Sequence, residues 1–301
     1  MVWMENSGSQ PNVIARLTQS APFLFLADIK FEHSLFALPF AYLGLFLAEG
    51  GLPRLFLFAG VTVAMVSFRT FAMAMNRLID REIDAKNPRT RCRALPQKKL
   101  SPPFVKALSA VCLAIFLGTA WILGPLCFYL SPVPIFLAWI YPYLKRFTWL
   151  SHSVLGIILG ISPNGAWLAS RNEFSWIPGL LGIGVTAWVS GFDVLYALQD
   201  DEFDRSAGLK SIPVKFGRTR SLWIAGFLHA LAVGAWAAAG KLAGLGWIYD
   251  GGIALVASFL FREHWLVHRF GLAKLEQAFF TMNACVSFLI FLSAAASLIW
   301  R

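Results

Sequence analysis

From about residue 23 to residue 299 the chain repeats one pattern: an apolar run of about twenty residues, closed by a short polar or Pro/Gly-rich joint. Each helical residue adds about 1.5 Å, so a run of that length crosses the ~30 Å hydrocarbon layer of a bilayer. In lipid the backbone amides find no water, and such runs fold as helices that satisfy their own hydrogen bonds. The runs fall at 23–48, 54–79, 104–122, 124–143, 152–170, 176–199, 219–239, 244–261 and 276–299. They predict an all-α integral membrane protein built as a bundle of nine transmembrane helices. Gly50-Gly51, Pro102-Pro103, Gly124-Pro125 and Pro178-Gly179 mark joints, whereas Pro39, Pro132, Pro134 and Pro163 fall inside runs and are expected to kink or break them. No polar block is long enough for a separate soluble domain, so residues 1–301 are expected to form a single membrane-embedded domain, with 1–20 a polar or interfacial segment. That segment carries Glu5, Asn6, Gln10, Pro11 and Arg16 and lacks the apolar core of a secretory signal, so the first apolar helix is expected to remain in the product.

Charge decides orientation. Only 14% of residues are charged, against about a quarter in soluble domains, yet the net charge is +10. A basic balance can signal nucleic acid, but these cations sit in alternate connections. Arg81, Lys86, Arg89, Arg91, Arg93, Lys98, Lys99 and Lys106 follow the second run, Lys145 and Arg146 the fourth, Arg205 to Arg220 the sixth, and Arg262, Arg269 and Lys274 the eighth. The other side holds only Arg54, Arg171, Lys241 and Arg301. The positive-inside rule places the amino terminus and the even connections in the cytoplasm of a prokaryote, in its inner membrane. Nucleic acid is not an expected partner, and no obligate protein partner is inferred. Cys92, Cys112, Cys127 and Cys285 have no paired spacing, and three lie within apolar runs, so neither disulfide nor zinc is expected.

Against this apolar background two acidic groups stand out. Asn76, Asp80 and Asp84 recur every fourth residue where the second run ends, and on a continuing helix they line one face. The spacing returns as Tyr196, Asp200 and Asp204 at the end of the sixth run, with Asp193 seven residues before Asp200 and so on the same face. An ionised side chain inside a bilayer helix costs roughly 2.5–3.5 kcal/mol on insertion scales, so both groups need counter-charge. Carboxylate and amide oxygens surrounded by lysine and arginine suit Mg2+, which keeps phosphate oxygens and water as its other ligands. The expected guest is therefore a diphosphate carrying a long hydrocarbon. A weak internal duplication would set the two groups facing each other across the bundle.

Less specific residues keep two readings. Arg69 lies seven residues before Asn76, and either points at the diphosphate or pairs with a buried polar group; Arg77 is read as a structural pair. Lys30 and His33 open the first helix as interfacial residues or as a grip on a substrate carboxylate, and His152 is read as interfacial. Asn87, Arg91 and Arg93 are topogenic charge or a loop that caps the site. Glu82, Asp201 and Glu202 are read as solvated.

The motifs Asn76-x3-Asp80-x3-Asp84, Asn87-Pro-Arg-Thr, Asp193-x2-Tyr196-Ala-x2-Asp200-x3-Asp204, Gly208-x-Lys210-Ser211, Tyr141-Pro-Tyr-Leu-Lys145-Arg146 and Gly160-Ile-Ser-Pro-Asn-Gly165 resemble the UbiA superfamily of intramembrane prenyltransferases. The resemblance runs from about Lys30 to the last helix and is strongest to the 4-hydroxybenzoate polyprenyltransferase group. It implies a central cavity opening to cytoplasm and lipid, and transfer of a polyprenyl chain from its diphosphate to 4-hydroxybenzoate in quinone biosynthesis, with dihydroxynaphthoate in menaquinone synthesis as the alternative acceptor. Asn76, Asp80, Asp84, Asp200 and Asp204 would hold Mg2+; Lys145, Arg146, Arg69 and Lys210 would bind the diphosphate; Tyr196, Arg93 and His33 would meet the acceptor; Asp80, Asp193 and Asp200 would act in catalysis. A cation-coupled transporter is the alternative from another class, and it would place its acids near the membrane midplane rather than at helix ends.

Overall fold

A computed structural model describes residues 20–30, 34–271 and 275–300, the side chains of 34–36, 270 and 275–281 excepted. The polar residues 1–19 and His33 lie outside the described residues. Twelve helices and no strand occur among the described residues: α1 Ala21–Asp28, α2 Ser34–Glu49, α3 Leu55–Lys86, α4 Pro102–Leu123, α5 Pro125–Leu130, α6 Pro132–Leu144, α7 Ser151–Arg171, α8 Trp176–Ala197, α9 Asp201–Ser206, α10 Ile212–Leu242, α11 Trp247–Phe270 and α12 Leu275–Ile299. Seven stretches among the described residues are long and apolar enough to cross a bilayer, with Pro125–Leu144 taken as one, and Ala37–Glu49 is a shorter apolar helix. The protein is an all-helical membrane bundle. The count of nine spans is not reached by that measure, because α2 is short and α11 carries Asp250, Arg262, Glu263 and Arg269.

Local chemistry sets the ends. Ser101 accepts from the Phe104 N–H ahead of Pro102 and Pro103, and Ser211 accepts from the Val214 N–H, so both helices begin on a hydroxyl cap beside a first-turn proline. The first run is interrupted after Asp28, where Lys30 takes a positive φ of 50°. The fourth is interrupted at Ser131, where Pro132 and Pro134 start α6. Pro39 and Pro163, by contrast, are accommodated inside α2 and α7.

The second run becomes α3, whose 32 residues make a rod of about 48 Å, longer than the apolar layer is thick. Its last turns carry Asn76, Asp80 and Asp84. The sixth run departs from expectation: α8 ends at Ala197, Asp200 takes φ −105° and ψ 4°, and a separate α9 follows. Asp193 and Asp200 therefore do not share one continuous helical face. Asp201, Glu202 and Asp204 fall in the first turn of α9, where acids complement the helix dipole.

Packing closes the helices into a ring in the order α3, α6, α7, α8, α10, α11, α12, α2 and back to α3, with α4 laid against α3. The most buried span is α8, pressed between α7 and α10. Without a hydrophobic drive between helices in lipid, close packing must supply the association energy. Glycine permits it: a Cβ on Gly160 of α7 would stand 2.6 Å from the Gly182 carbonyl oxygen of α8, and one on Gly182 would stand 2.5 Å from that of Gly160. On the other flank Trp236 of α10 meets Trp188 of α8 at 6.2 Å and stacks on Phe40 of α2 at 5.6 Å.

Gly160→Ala should destabilise the bundle by about 1–3 kcal/mol through overpacking. Gly179→Ala, with nothing within 4 Å of its Cβ, should be neutral or slightly stabilising; thermal unfolding of the two variants in detergent compares them directly.

Candidate active site

The acids of α3 are buried, with Asp80 3% and Asp84 5% exposed, and each is met by a cation from another segment. Lys145, just past α6, lies 2.7 Å from Asp80 Oδ2, to which Asn76 Nδ2 also donates at 3.2 Å. Arg146 stands 3.9 Å from Asp80 Oδ1 and donates to the Ile79 carbonyl at 3.1 Å. Arg93 donates to Asp84 Oδ2 at 2.6 Å. The Asn87–Leu100 segment folds back over the end of α3: Asn87 Oδ1 accepts the Arg89 N–H at 2.9 Å, and Thr90 Oγ1 donates to the Asp84 carbonyl at 3.1 Å.

This segment joins the two acidic groups. Asn87 Nδ2 donates to Asp200 Oδ1 at 3.1 Å, and Arg89 grips the same carboxylate with two nitrogens, Nε to Oδ1 at 2.9 Å and Nη2 to Oδ2. Arg89 Nη1 reaches the Tyr196 hydroxyl at 2.8 Å, and the guanidinium lies 4.8 Å from the centre of that ring. Asp204 sits beyond, on α9. Burial first, and then neighbouring Asp200, push its carboxyl up to about 6, against the pull of Lys145 and a hydrogen bond with Ser211.

The remaining predicted residues divide. Arg69 donates to the Lys30 carbonyl at 3.3 Å and lines the cavity below the acids. Lys210 bonds the Phe147 carbonyl with its ammonium at 3.1 Å and, through its backbone N–H, the Lys145 carbonyl at 2.7 Å; it steadies the segment that carries Lys145. Arg77 is structural as read: it donates to the Asp28 carbonyl at 2.9 Å, lies 3.7 Å from the Asp28 carboxylate, and reaches Asn76 Oδ1 at 3.1 Å. Asp193 contacts His152 at 2.6 Å rather than the other acids. His152, in the first turn of α7, is 5% exposed and so buried among the helices. Glu82 and Glu202 are exposed, and Asp201 pairs with Arg205 one turn on.

Sequence reasoning passed over Arg89, Asp28 and the pairing of His152. Asn87-Pro-Arg-Thr was the available signal for Arg89, which its neighbours in a cation-rich connection masked.

Beneath the acids lies a cavity of about 1580 Å³. Its polar end is lined by Asn76, Arg77, Arg93, Asp193 and Tyr196, its body by Phe68, Phe116, Ile158 and Trp188, and its far end by Leu123, Cys127 and Phe174. The lining residues of α3 run from Val61 to Arg77, about 24 Å along the helix. The cavity thus extends through most of the apolar layer.

Do these residues fit Mg2+? Asp80 Oδ1 is buried without a hydrogen-bond partner, an anionic oxygen that a hard cation would satisfy. Among the described residues no three carboxylate, imidazole or thiol groups form a ready-made cage. Magnesium asks for none, since it is commonly held by one or two carboxylates with phosphate and water completing the shell. The donor set fits.

Residues 37–291 match the family model described as the UbiA prenyltransferase family. The 4-hydroxybenzoate octaprenyltransferase of Aeromonas salmonicida (strain A449) is 32% identical over 226 residues, 75% of this chain and 78% of its own length. That of Citrobacter koseri is 30% identical over 256 residues, 84% and 87% of the two chains. Among solved structures, the apo form of a UbiA homolog from Aeropyrum pernix K1 superposes with a TM-score of 0.79 at 33% identity, covering 90% of this chain and 98% of that one. A UbiA homolog from Archaeoglobus fulgidus bound to GPP and Mg2+ shares the fold at TM-score 0.72 and 20% identity, covering 92% and 99%.

Replacing Arg89 by Ala should lower stability by about 1.5–3 kcal/mol, the scale of hydrogen bonds to a charged group, and speed proteolysis within 87–101. Arg89→Lys should recover less than half of that loss, because an ammonium cannot span both oxygens of Asp200. Thermal melting and limited proteolysis report the two effects.

Proposed function

The chain belongs to the UbiA prenyltransferase family, and from that premise we propose that it transfers a polyprenyl group from polyprenyl diphosphate to the ring carbon ortho to the hydroxyl of 4-hydroxybenzoate, releasing diphosphate. The supporting observation is the Asn87–Arg89–Asp200 junction, which gathers both acidic groups and their cations over a deep apolar cavity. Relatives about 30% identical over most of their length carry the name 4-hydroxybenzoate octaprenyltransferase. That similarity favours this acceptor over dihydroxynaphthoate.

Asn76, Asp80, Asp84, Asp200 and Asp204 would hold Mg2+, which when bound supplies positive charge to the diphosphate oxygens. Lys145 and Arg146 flank Asp80 and would take the charge that grows on the leaving diphosphate as the allylic C–O bond breaks, its electron pair going to oxygen. Fixed cations in a water-poor site cost no reorganisation at that moment. A barrier lowered by about 8 kcal/mol would correspond to roughly a millionfold in rate. Arg93, one step further on, and Arg69, deeper in the cavity, are the cations available to the acceptor carboxylate and the diphosphate respectively.

The hydrocarbon tail occupies the apolar body. Trp188, Phe192 and Tyr196 turn successive parts of α8 toward the cavity, and aromatic faces stabilise an allylic cation by about 0.5–2 kcal/mol each. The ring carbon then forms the new C–C bond and releases its proton to the Asp193 carboxylate or to a phosphate oxygen. Charge asymmetry supports a site facing the cytoplasm from the inner membrane.

Purified protein given geranyl diphosphate, Mg2+ and 4-hydroxybenzoate should yield a product heavier by one geranyl group, with diphosphate release dependent on both metal and acceptor. Asp80→Asn and Asp200→Asn should each lower that rate by about a hundredfold or more, equivalent to at least ~2.7 kcal/mol. In competition with an equal amount of dihydroxynaphthoate, predominance of prenylated naphthoate by mass would overturn the acceptor assignment. Movement of either substrate across vesicles without turnover would overturn the transferase reading itself.

A further inference from the structure

The proposed reaction calls on Asp193 but leaves the histidine behind it without a role. His152, in the first turn of α7, joins three helices. Its Nδ1 lies 2.6 Å from Asp193 Oδ2 on α8. Its Nε2 receives the N–H of Ile212, the first residue of α10, at 3.4 Å. Its backbone carbonyl accepts from Ser190 Oγ at 3.3 Å, one turn before Asp193. The Ile212 N–H is one of the first-turn amides a helix leaves without an internal partner, so the imidazole closes that gap while holding the acid.

These contacts fix the tautomer. A ring nitrogen that accepts an N–H presents its lone pair, so the proton of the neutral imidazole resides on Nδ1 and is donated to Asp193. With both nitrogens engaged, the ring has no lone pair with which to take a proton from the carboxylate. His152 orients; it does not relay.

The choice of partner matters as well. Among the described residues Asp193 alone is held by a histidine, whereas Asp28, Asp80, Asp84, Asp200, Asp201 and Asp250 face lysine or arginine. A guanidinium beside a carboxylate favours its charged form and so opposes the uptake of a proton. An imidazole whose Nε2 accepts the Ile212 N–H holds the carboxylate through a single Nδ1–H hydrogen bond, without the two-point grip that Arg89 exerts on Asp200. Asp193 lines the cavity one turn from Tyr196, and engagement of Oδ2 leaves Oδ1 as the oxygen to receive a proton.

We infer that His152 is a positioning residue for Asp193, fixing through Oδ2 the orientation in which this carboxylate accepts the proton released by the prenylated ring. The inference rests on the prenyl-transfer reading above.

The test compares His152→Phe, which keeps the bulk of the ring, with His152→Gln, whose amide both donates to Asp193 and accepts from the Ile212 N–H but does not titrate. Turnover of geranyl diphosphate and 4-hydroxybenzoate is measured with kcat and KM for each substrate, alongside the melting temperature. Expected for His152→Phe is a kcat lowered about 10- to 100-fold, the scale set by a misplaced reacting group, with KM for geranyl diphosphate unchanged within about twofold. His152→Gln should recover kcat to within about threefold of the unmodified protein. In the unmodified protein, proton–nitrogen NMR of labelled histidine should show an Nδ1–H resonance that Asp193→Asn shifts.

Full kcat in His152→Phe overturns the inference. So does equal loss in both variants, which would assign the imidazole a chemical role, and so does a loss confined to melting temperature. Failure of the unmodified, folded protein to prenylate overturns the transfer reading, and this inference with it.

Discussion

The arrangement depends on neutralising carboxylates that are buried at the head of an apolar cavity. Removing an ion from water costs several kcal/mol even after relaxation, and a buried acid stripped of its partner costs about 3–5 kcal/mol. Asp80, Asp84 and Asp200 meet that demand with cations from three places: Lys145 after α6, Arg93 from the middle of the capping segment, and Arg89 from its start. Each pairing also fixes a stretch of backbone. The Asn87–Leu100 segment is consequently held at both of the acidic groups, by Asp84 and by Asp200, and Ala94 is anchored again where its N–H meets Asp28 at 2.7 Å. Charge compensation thus builds the roof of the site, and the roof in turn brings residues more than a hundred positions apart within hydrogen-bonding distance.

That same compensation defines what the site can accept. A lone cation would satisfy the acids and strand Lys145, Arg89 and Arg93; a lone anion would do the reverse. A magnesium diphosphate carries both signs, so in the proposed reaction the carboxylates would hold the metal and the lysine and arginines beside them would hold phosphate oxygens. That arrangement would conserve the number of charge contacts, which keeps the desolvation penalty from being borne twice. Asp80 has one oxygen already without a hydrogen bond. It is the position at which such an arrangement would begin at least cost.

Much of this was legible in sequence, for a physical reason. Acids are so unfavourable where apolar runs end that Asp80, Asp84, Asp200 and Asp204 stand out by residue type, Asn76 joins them by its four-residue spacing, and run length identifies the membrane helices. Partners were less visible. Arg89 is one of many cations in its connection, and topogenic charge looks the same as a bidentate clamp until a carboxylate is seen opposite it. Arg77 could be read as structurally paired, but nothing local points to Asp28, which lies 49 positions earlier. His152 opens a run where an interfacial histidine is ordinary; its burial follows from the close approach of α7 and α8 through Gly160 and Gly182, a property of two helices together.

The break after α8 is the feature whose consequence reaches furthest into function. Had the helix continued, the seven-residue spacing would have aimed Asp193 and Asp200 along one face, and both would have joined the charge cluster. Because Asp200 leaves helical geometry, it turns to Asn87 and Arg89, while Asp193 remains on α8 against His152. Two carboxylates of the same motif thereby receive opposite environments. Asp200 is gripped by a guanidinium and by the Asn87 amide, whereas Asp193 is held through Oδ2 by an imidazole beside the aromatic part of the cavity, as the proposed division of roles would require. In the proposed reaction, the break after Ala197 would separate the handling of diphosphate from the handling of the ring.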